Sequence, residues 1–301
     1  MDNNQIQQTI NEMAHFYAFS MRTPIQHFPD EAGLEYEEIY FPSMDGVTLE
    51  GWFIPANSNK LIICNHMAPG NRGGWPGNIE PYHSIDPVEV NFIPEYKVLH
   101  DAGYNVLTYD IRNHGRSAQG CGGVIGNGLF EYRDVIGSIR YAKKRPDTKN
   151  MKIGLRSVCM GSNATIIGMA KHPEEFKDIL AMVAPQPISL ICFAKKAFEK
   201  MGVENGVEML SKRLFETSGT HLNEMSPLKY ASAVTVPTLV TQVHQDAGTY
   251  PEDVQAIYDA LGSEDKKLFW IEGTTRRFDG YNYAGQHPEL MLEWFAKYIG
   301  E

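Results

Sequence analysis

Lys152-Ile-Gly-Leu-Arg-Ser-Val-Cys-Met-Gly-Ser-Asn-Ala-Thr165 predicts a short apolar strand, a sharp turn at Cys159 and then a helix. The turn follows the pattern small-x-nucleophile-x-small, with Ser157 and Gly161 at the small positions and Cys159 between them. Bulk at either small position would keep the strand and the helix apart. The helix N-terminus behind Cys159 offers unpaired N–H groups and a partial positive charge, which favour a thiolate. Cys159 is therefore a candidate nucleophile, and a buried structural cysteine is the alternative.

The composition indicates a globular chain with an acidic surface. The 301 residues include 27 Lys and Arg against 37 Asp and Glu, a formal charge of −10. This charge argues against nucleic acid and anionic membranes as partners, so a small-molecule substrate is expected and homo-oligomerisation stays open. The four cysteines are widely scattered with no CxxC pair. We therefore expect neither a disulfide framework nor a metal site, and no cofactor.

The N-terminus and the hydropathy pattern predict a cytoplasmic protein. Residues 1–8 lack the basic and apolar regions of a secretory signal. No window approaches the 18 or so consecutive apolar residues of a membrane-spanning helix. A reducing cytosol, in which a free thiolate survives, is the expected compartment.

Apolar strands alternate with helical segments along most of the chain. This alternation predicts an α/β fold with a mostly parallel twisted sheet and helices on both faces. Two early strands flank Met44-Asp-Gly46 and predict a hairpin. The segment after the last strand, residues 272–283, is predicted to be a loop. The expected division is an N-terminal helical extension over 1–35, a core over 36–185 and 231–301, and a helical cap over 186–230.

The order of several short segments resembles that of the α/β-hydrolase superfamily, from about Glu37 to the C-terminus. Each segment is a weak signal alone, but their joint order is specific. The cysteine at the turn is similar to the dienelactone-hydrolase branch, which also presents cysteine there. The segments that carry the resemblance are Asp45–Trp52, His66–Gly70, Asp110–Ser117, the Cys159 turn and Val236–Val240.

The resemblance implies a role for residues far from Cys159 in the sequence. In this superfamily an acid follows the nucleophile and a histidine follows the acid. Asp246 occupies the acid position, after the strand that follows the cap. The oxyanion hole is expected to use backbone N–H groups, one from Met160 and one from Met67 or Ala68.

Arg277, directly before Phe278-Asp279, occupies the position at which the superfamily carries its histidine. Arginine stays protonated, so it is unable to take a proton from a nucleophile or to activate water. It is able to pair with Asp246 or to stabilise a Cys159 thiolate. His287 and His83 are the candidates for a substitute base, although surface or packing roles are the simpler interpretation of both.

These observations predict an enzyme in which Cys159 attacks an ester, lactone or thioester of a small, partly apolar substrate, leading to hydrolysis or acyl transfer. Because arginine stands in place of the histidine, the triad of nucleophile, acid and histidine is degenerate, and two alternatives stay open. One is a non-hydrolytic cyclase, lyase or isomerase of a biosynthetic pathway. The other is a catalytically silent protein that kept a ligand-binding pocket.

Overall fold

The computed structural model describes residues 2–300, and its centre is an eight-stranded mixed sheet. The strand order is β1-β2-β6-β3-β7-β8-β9-β10, antiparallel from β1 to β6 and parallel from β6 to β10. A separate two-stranded ribbon pairs β4 with β5. The strands are β1 (Glu37–Pro42), β2 (Thr48–Ile54), β3 (Lys60–Asn65), β4 (Gly74–Trp75), β5 (Val90–Asn91), β6 (Asn105–Tyr109), β7 (Lys152–Ser157), β8 (Ile179–Pro185), β9 (Thr238–Val243) and β10 (Lys266–Ile271).

Within residues 2–300, ten α-helices accompany the strands. They are α1 (Asn3–Ala18), α2 (Ile93–Asp101), α3 (Tyr132–Lys144), α4 (Met160–Lys171), α5 (Pro173–Phe176), α6 (Leu190–Met201), α7 (Gly206–Ser218), α8 (Pro251–Ala260), α9 (Arg277–Gln286) and α10 (Glu289–Ile299).

Both faces of the sheet are covered, as a mostly parallel sheet requires. In β3, Leu61 and Ile63 pack into the apolar core beneath α3, α4 and α8. The alternate residues Ile62 and Cys64 pack into the opposite core, beneath α2 and α10. Strand β7, which leads to Cys159, lies between β3 and β8 and is therefore flanked on both edges.

The sequence predictions of the hairpin and of the fold class are confirmed. The β1–β2 hairpin turns at Gly46, whose φ of 86° is in the left-handed region that glycine adopts without strain. The prediction of a loop over residues 272–283 was wrong, because α9 begins at Arg277. This helix contains Gly280 and Gly285 together with polar residues, so its intrinsic helix propensity is low and its packing decides the conformation.

Helix α1 packs against the helices that follow β8. Ile10, Ala14 and Tyr17 of α1 share a buried apolar cluster with Phe198 of α6 and Leu214 of α7. The N-terminal segment and residues of 186–230 thus form one continuous layer. None of the helices between residues 2 and 300 combines the length and apolar character needed to span a bilayer.

Candidate active site

Cys159 lies at the turn between β7 and α4 in a strained backbone conformation. Its φ of 52° and ψ of −110° are unfavourable for a residue with a side chain. Two contacts hold it there: its N–H donates to the Pro185 carbonyl at 2.8 Å, and its carbonyl accepts from the Asn163 N–H at 3.0 Å. The thiol is 4% exposed and borders a cavity. Strain of this kind persists where the surrounding structure enforces it, and it is concentrated at functional sites.

The small residues on either side of Cys159 allow β7 and α4 to approach β3. A Cβ atom at Gly161 would lie 2.5 Å from the Asn65 carbonyl oxygen, closer than any real contact. The Ser157 hydroxyl accepts from the Asn65 side-chain amide at 2.8 Å and also contacts the Thr165 hydroxyl. The steric reason given for these two positions from the sequence therefore applies in the structure.

Replacing Gly161 by alanine tests this close packing. We expect Gly161→Ala to lower the free energy of unfolding by about 1–3 kcal/mol, the usual cost of an extra methyl group in a packed interior. Gly285→Ala is the matched control, because its Cβ would meet its nearest neighbour at 3.3 Å and its change should stay below about 1 kcal/mol. Urea unfolding measures both. Equal effects of the two substitutions would contradict the close packing.

Arg277 joins Asp246 to Cys159. Its Nη1 donates to Asp246 Oδ2 at 2.8 Å, and its Nη2 lies 3.7 Å from Cys159 Sγ. Asp246 follows β9 and Arg277 is the first residue of α9, so the ends of two parallel strands bring them to the carboxyl end of β7. The three residues singled out from the sequence are thus in one chain of contacts.

Gln186 fixes the orientation of Arg277. The Gln186 carbonyl accepts from Arg277 Nη2 at 2.5 Å, and the Gln186 side-chain amide donates to the Arg277 carbonyl at 2.8 Å. Gln186 has a φ of 54° directly after β8 and is fully buried. The guanidinium is therefore held by contacts on several sides and has little freedom to turn away from the thiol.

The charges in this cluster stabilise one another. Burial would raise the pKa of Asp246, but the Arg277 charge and hydrogen bonds from Gly248 and Thr249 hold it below its ordinary value. Burial opposes the charge of Arg277, yet Tyr281, Cys159 and Asp246 outweigh it, and the pKa of Arg277 lies well above its ordinary value. Arg277 is consequently a permanent cation beside the sulfur and has no capacity to act as a base.

Tyr281 is a member of the cluster that sequence reasoning missed. It lies one helical turn after Arg277, and its hydroxyl accepts a hydrogen bond from Arg277 Nε at 2.8 Å. The side chain is 2% exposed and borders the same cavity as Cys159. Recognising residues 277–286 as a helix would have revealed it, because residues four apart share a helix face.

The backbone around Cys159 offers N–H groups for an oxyanion. Met160 is the first residue of α4, and neither its N–H nor that of Ala68 donates a hydrogen bond to any residue in the range 2–300. Ala68 borders the cavity, whereas Met67 is fully buried. His66 supports this loop, with its Nδ1 2.6 Å from the Met67 carbonyl. The oxyanion role of Met160, Met67 and Ala68 stays a prediction.

The two histidines suggested as substitute bases lie away from Cys159. His83 is in a short 3₁₀ turn with its Nδ1 3.0 Å from the Gly77 carbonyl. His287 lies between α9 and α10, with its ring against Tyr283. Neither borders the cavity that Cys159 borders. Both residues follow, in the sequence, segments that border the cavity, but their own side chains lie outside the cavity lining.

His114 is the histidine that borders the cavity. Its Nδ1 lies 2.8 Å from the Arg112 carbonyl oxygen. Because a carbonyl oxygen only accepts hydrogen bonds, Nδ1 carries the proton, and Nε2 of the neutral ring has a lone pair. Nε2 is buried and finds no hydrogen-bond partner among residues 2–300. Burial lowers the pKa of His114 to about 3, with a further contribution from His66. A histidine of this kind is neutral and weakly basic.

The cavity beside Cys159 is small and mainly apolar, with a volume of about 100 Å³. Among the apolar residues of 186–230, Ile188, Leu190 and Phe193 border the cavity. Phe198 and Leu214 pack against α1, and Met209 and Phe215 are exposed. The N-terminal segment supplies much of the outer wall, through Phe16, Tyr17, Phe19, Ser20 and Met21.

Backbone contacts attach this N-terminal wall to the loop that follows β6. The Ile125 N–H donates to the Ala18 carbonyl at 2.9 Å, and Phe19 forms an antiparallel bridge with Val124. Farther along, Arg22 Nη1 donates to the Gly115 carbonyl at 2.8 Å. Residues 18–22 therefore form part of the cavity wall, which the sequence pattern of α1 did not predict. Residues 2–300 contain no cluster of three or more His, Cys, Asp or Glu arranged to bind a metal ion.

Comparison of the sequence with known proteins finds distant relatives. No family model matches the chain. It is 24% identical over 241 residues to an uncharacterised 31.7 kDa Escherichia coli protein of the traX–finO intergenic region, covering 66% of this chain and 82% of that one. It is 21% identical over 225 residues to the uncharacterised protein YqkD of Bacillus subtilis (strain 168), covering 73% and 70%.

Solved structures give a fuller match. The Pyrococcus furiosus esterase Pf2001 superposes with a TM-score of 0.71 at 21% identity, covering 94% of this chain and 99% of that one. The α/β-hydrolase GrgF from Penicillium sp. sh18 superposes with a TM-score of 0.60 at 17% identity, covering 89% and 100%. This chain has the α/β-hydrolase fold. Because one fold supports many chemistries, the activity has to be argued from the residues around Cys159.

Proposed function

We propose that this protein is a cysteine-dependent enzyme in which Cys159 accepts the acyl group of a small, partly apolar ester, lactone or thioester. The observation that carries the proposal is the contact between Cys159 Sγ and the Arg277 guanidinium at a cavity wall. A fixed cation at this distance stabilises a thiolate, and a thiolate is already nucleophilic without a general base. A cysteine in this position also agrees with the resemblance to the dienelactone-hydrolase branch.

The surroundings of Cys159 support acyl chemistry in two further ways. The free N–H groups of Met160 and Ala68 offer donors for the oxyanion of a tetrahedral intermediate. The apolar walls exclude water and favour an uncharged acyl group, since Arg277 is already paired with Asp246. In this proposal Asp246 orients and neutralises Arg277, Arg277 stabilises the sulfur, and residues 1–35 and 186–230 together cover the acyl site.

The experiment uses alkylation of a single reactive cysteine. In a Cys121→Ser/Cys192→Ser background, Cys64 is the other thiol and is completely buried. We expect iodoacetamide to modify Cys159 and to abolish hydrolysis of p-nitrophenyl butyrate in proportion, and the ester to slow the alkylation. Peptide mapping locates the label. Full turnover by protein alkylated at Cys159 would contradict the proposal.

A second candidate function is a non-hydrolytic cyclase, lyase or isomerase. One observation favours it: within residues 2–300 an arginine, and no histidine, joins Asp246 to Cys159. Under this alternative, and equally for a silent ligand-binding protein, Cys159 never becomes acylated by an ester. Single-turnover acylation therefore separates the cysteine acyl enzyme from both.

A further inference from the structure

An acyl enzyme on Cys159 needs a group that moves protons, and Arg277 is unable to do so. When the acyl group leaves its alcohol or thiol, that group departs as an anion and needs a proton. When the thioester is later attacked, the incoming water or alcohol must lose one. Arg277 is a permanent cation, and Asp246 faces Arg277 rather than the cavity. Another side chain that borders the cavity has to perform both transfers.

The hydroxyl of Tyr281 has the required contacts. Because a guanidinium only donates, the 2.8 Å contact makes Tyr281 Oη the acceptor of the Arg277 Nε–H. The hydroxyl proton is then free to be donated in another direction. The side chain borders the same cavity as Cys159, so that direction includes the sulfur and the group bonded to the acyl carbon.

We propose that Tyr281 is the proton donor and acceptor of the Cys159 site, an assignment that rests on the acyl-enzyme function proposed above. The Cys159 thiolate attacks the acyl carbon, and the bond from that carbon to the leaving oxygen or sulfur breaks. The leaving group takes the Tyr281 proton, which gives a thioester, a free alcohol or thiol, and a tyrosinate. The tyrosinate keeps the hydrogen bond from Arg277 Nε.

The second half of the cycle restores both residues. The incoming water or alcohol gives a proton to the Tyr281 oxyanion as it attacks the thioester carbon. The carbon–sulfur bond breaks, and Cys159 leaves as a thiolate beside Arg277 Nη2. Each cycle therefore moves one proton through Tyr281 and leaves a single negative charge that alternates between the sulfur and the phenolic oxygen. Arg277 donates towards both atoms, through Nη2 and Nε.

The electrostatics of Tyr281 agree with a resting hydroxyl that is protonated. Burial raises the pKa of Tyr281 well above its ordinary value, Arg277 lowers it, and Cys159 raises it again. Two titratable side chains outside the cluster also border the cavity, Tyr17 and His114. Burial raises the pKa of Tyr17, and its side chain packs in the apolar cluster of α1, whereas Tyr281 accepts a hydrogen bond from Arg277. The pKa of His114, about 3, makes it a poor proton acceptor. Tyr281 is therefore favoured over both.

The experiment compares butyrate esters that differ only in their need for a proton on the leaving group. p-Nitrophenolate departs without one, whereas the ethoxide of ethyl butyrate requires one. For Tyr281→Phe we expect acylation by p-nitrophenyl butyrate to stay within about threefold of the parent protein, and acylation by ethyl butyrate to fall about a hundredfold. Tyr283→Phe is the matched control on the same helix, because Tyr283 borders a different cavity, and it should change neither rate.

Three outcomes would overturn the assignment: Tyr281→Phe slows both esters equally, it slows neither, or His114→Asn selectively slows ethyl butyrate while Tyr281→Phe does not. Failure of the acyl-enzyme function is distinguishable, because the parent protein would then show no acylation of Cys159 by p-nitrophenyl butyrate, or Cys159→Ala would release p-nitrophenolate as fast as the parent protein. Should Tyr281→Phe not fold, the parent protein still tests the assignment. If the enzyme protonates the leaving group, trifluoroethyl butyrate and ethyl butyrate should acylate the parent protein at rates within about tenfold of each other, with a normal solvent deuterium isotope effect. A steep dependence of the acylation rate on the leaving group would overturn the assignment.

Discussion

Replacing Arg277 by methionine is expected to destabilise the folded protein by about 3–5 kcal/mol at neutral pH, because it leaves the Asp246 carboxylate buried without its cation. Asp246 is 2% exposed, and its remaining donors are the Gly248 N–H and the Thr249 hydroxyl, together with the Gln242 amide. Methionine keeps the apolar length of the arginine stem, so the loss reports mainly on charge. Urea unfolding at several pH values measures it.

The pH dependence of this loss has a definite sign. In the parent protein the pKa of Asp246 is held below its ordinary value, so its stabilising contribution is present above the ordinary pKa and is lost as the pH falls through the lowered one. Without Arg277, burial dominates and raises the pKa of Asp246, so protonation relieves the buried charge. The deficit should shrink as the pH falls from neutral towards acid.

A double variant provides the control for the charge argument. Arg277→Met combined with Asp246→Asn removes the unpaired charge, so it should be more stable at neutral pH than Arg277→Met alone. A deficit in Arg277→Met that is below about 1 kcal/mol, or that does not change with pH, would contradict the ion pair.

Replacing Cys159 by alanine is expected to lower the rate of acylation by p-nitrophenyl butyrate by at least about a thousandfold, the scale seen when a nucleophile is removed. Cys159→Ser should be nearly as inactive, because the serine hydroxyl must lose a proton and Arg277 is unable to accept it. Stopped-flow release of p-nitrophenolate measures both. Cys192→Ala is the control, since Cys192 is half-buried and outside the cavity lining.

A serine variant that retains substantial activity would show that a base serves this position, and the interpretation of Arg277 would then be wrong. Serine is nearly isosteric with cysteine and alanine removes only the sulfur, which borders a cavity, so large effects on stability are not expected. Unfolding curves that superpose on that of the parent protein exclude a folding defect as the cause of inactivity.

The sequence predicts the parts of this structure that depend on regular patterns. The apolar strands that alternate with helical segments predicted the sheet, and the small residues around Cys159 predicted the turn that places its thiol at the cavity. Asp246 and Arg277 were assigned from the resemblance to the α/β-hydrolase superfamily, by their positions after the last two strands, and parallel strands bring their carboxyl ends to one edge of a sheet. The contact between Arg277 and both partners follows from that arrangement.

The features that the sequence did not predict depend on tertiary packing. Helix α9 contains two glycines and few strong helix formers, so residues 272–283 look like a loop, and Tyr281 goes unnoticed. The apolar face of α1 predicts a buried helix but does not identify its neighbour, which is α7. No pattern in the surrounding sequence therefore predicts that Phe19 and Met21 border the cavity. The orientations of the His83 and His287 side chains likewise depend on tertiary contacts that the sequence pattern does not reveal.

Peptide mass spectrometry of protein quenched during reaction with an ester tests the proposed chemistry of Cys159 most directly. The protein is mixed with p-nitrophenyl butyrate, quenched in acid after single-turnover times, and digested. We predict one added butyryl group on the peptide that contains Cys159, bound as a thioester that neutral hydroxylamine removes, and its absence in Cys159→Ala. A butyryl group on another residue, or turnover of the ester with no acylated protein at any time point, would contradict the account.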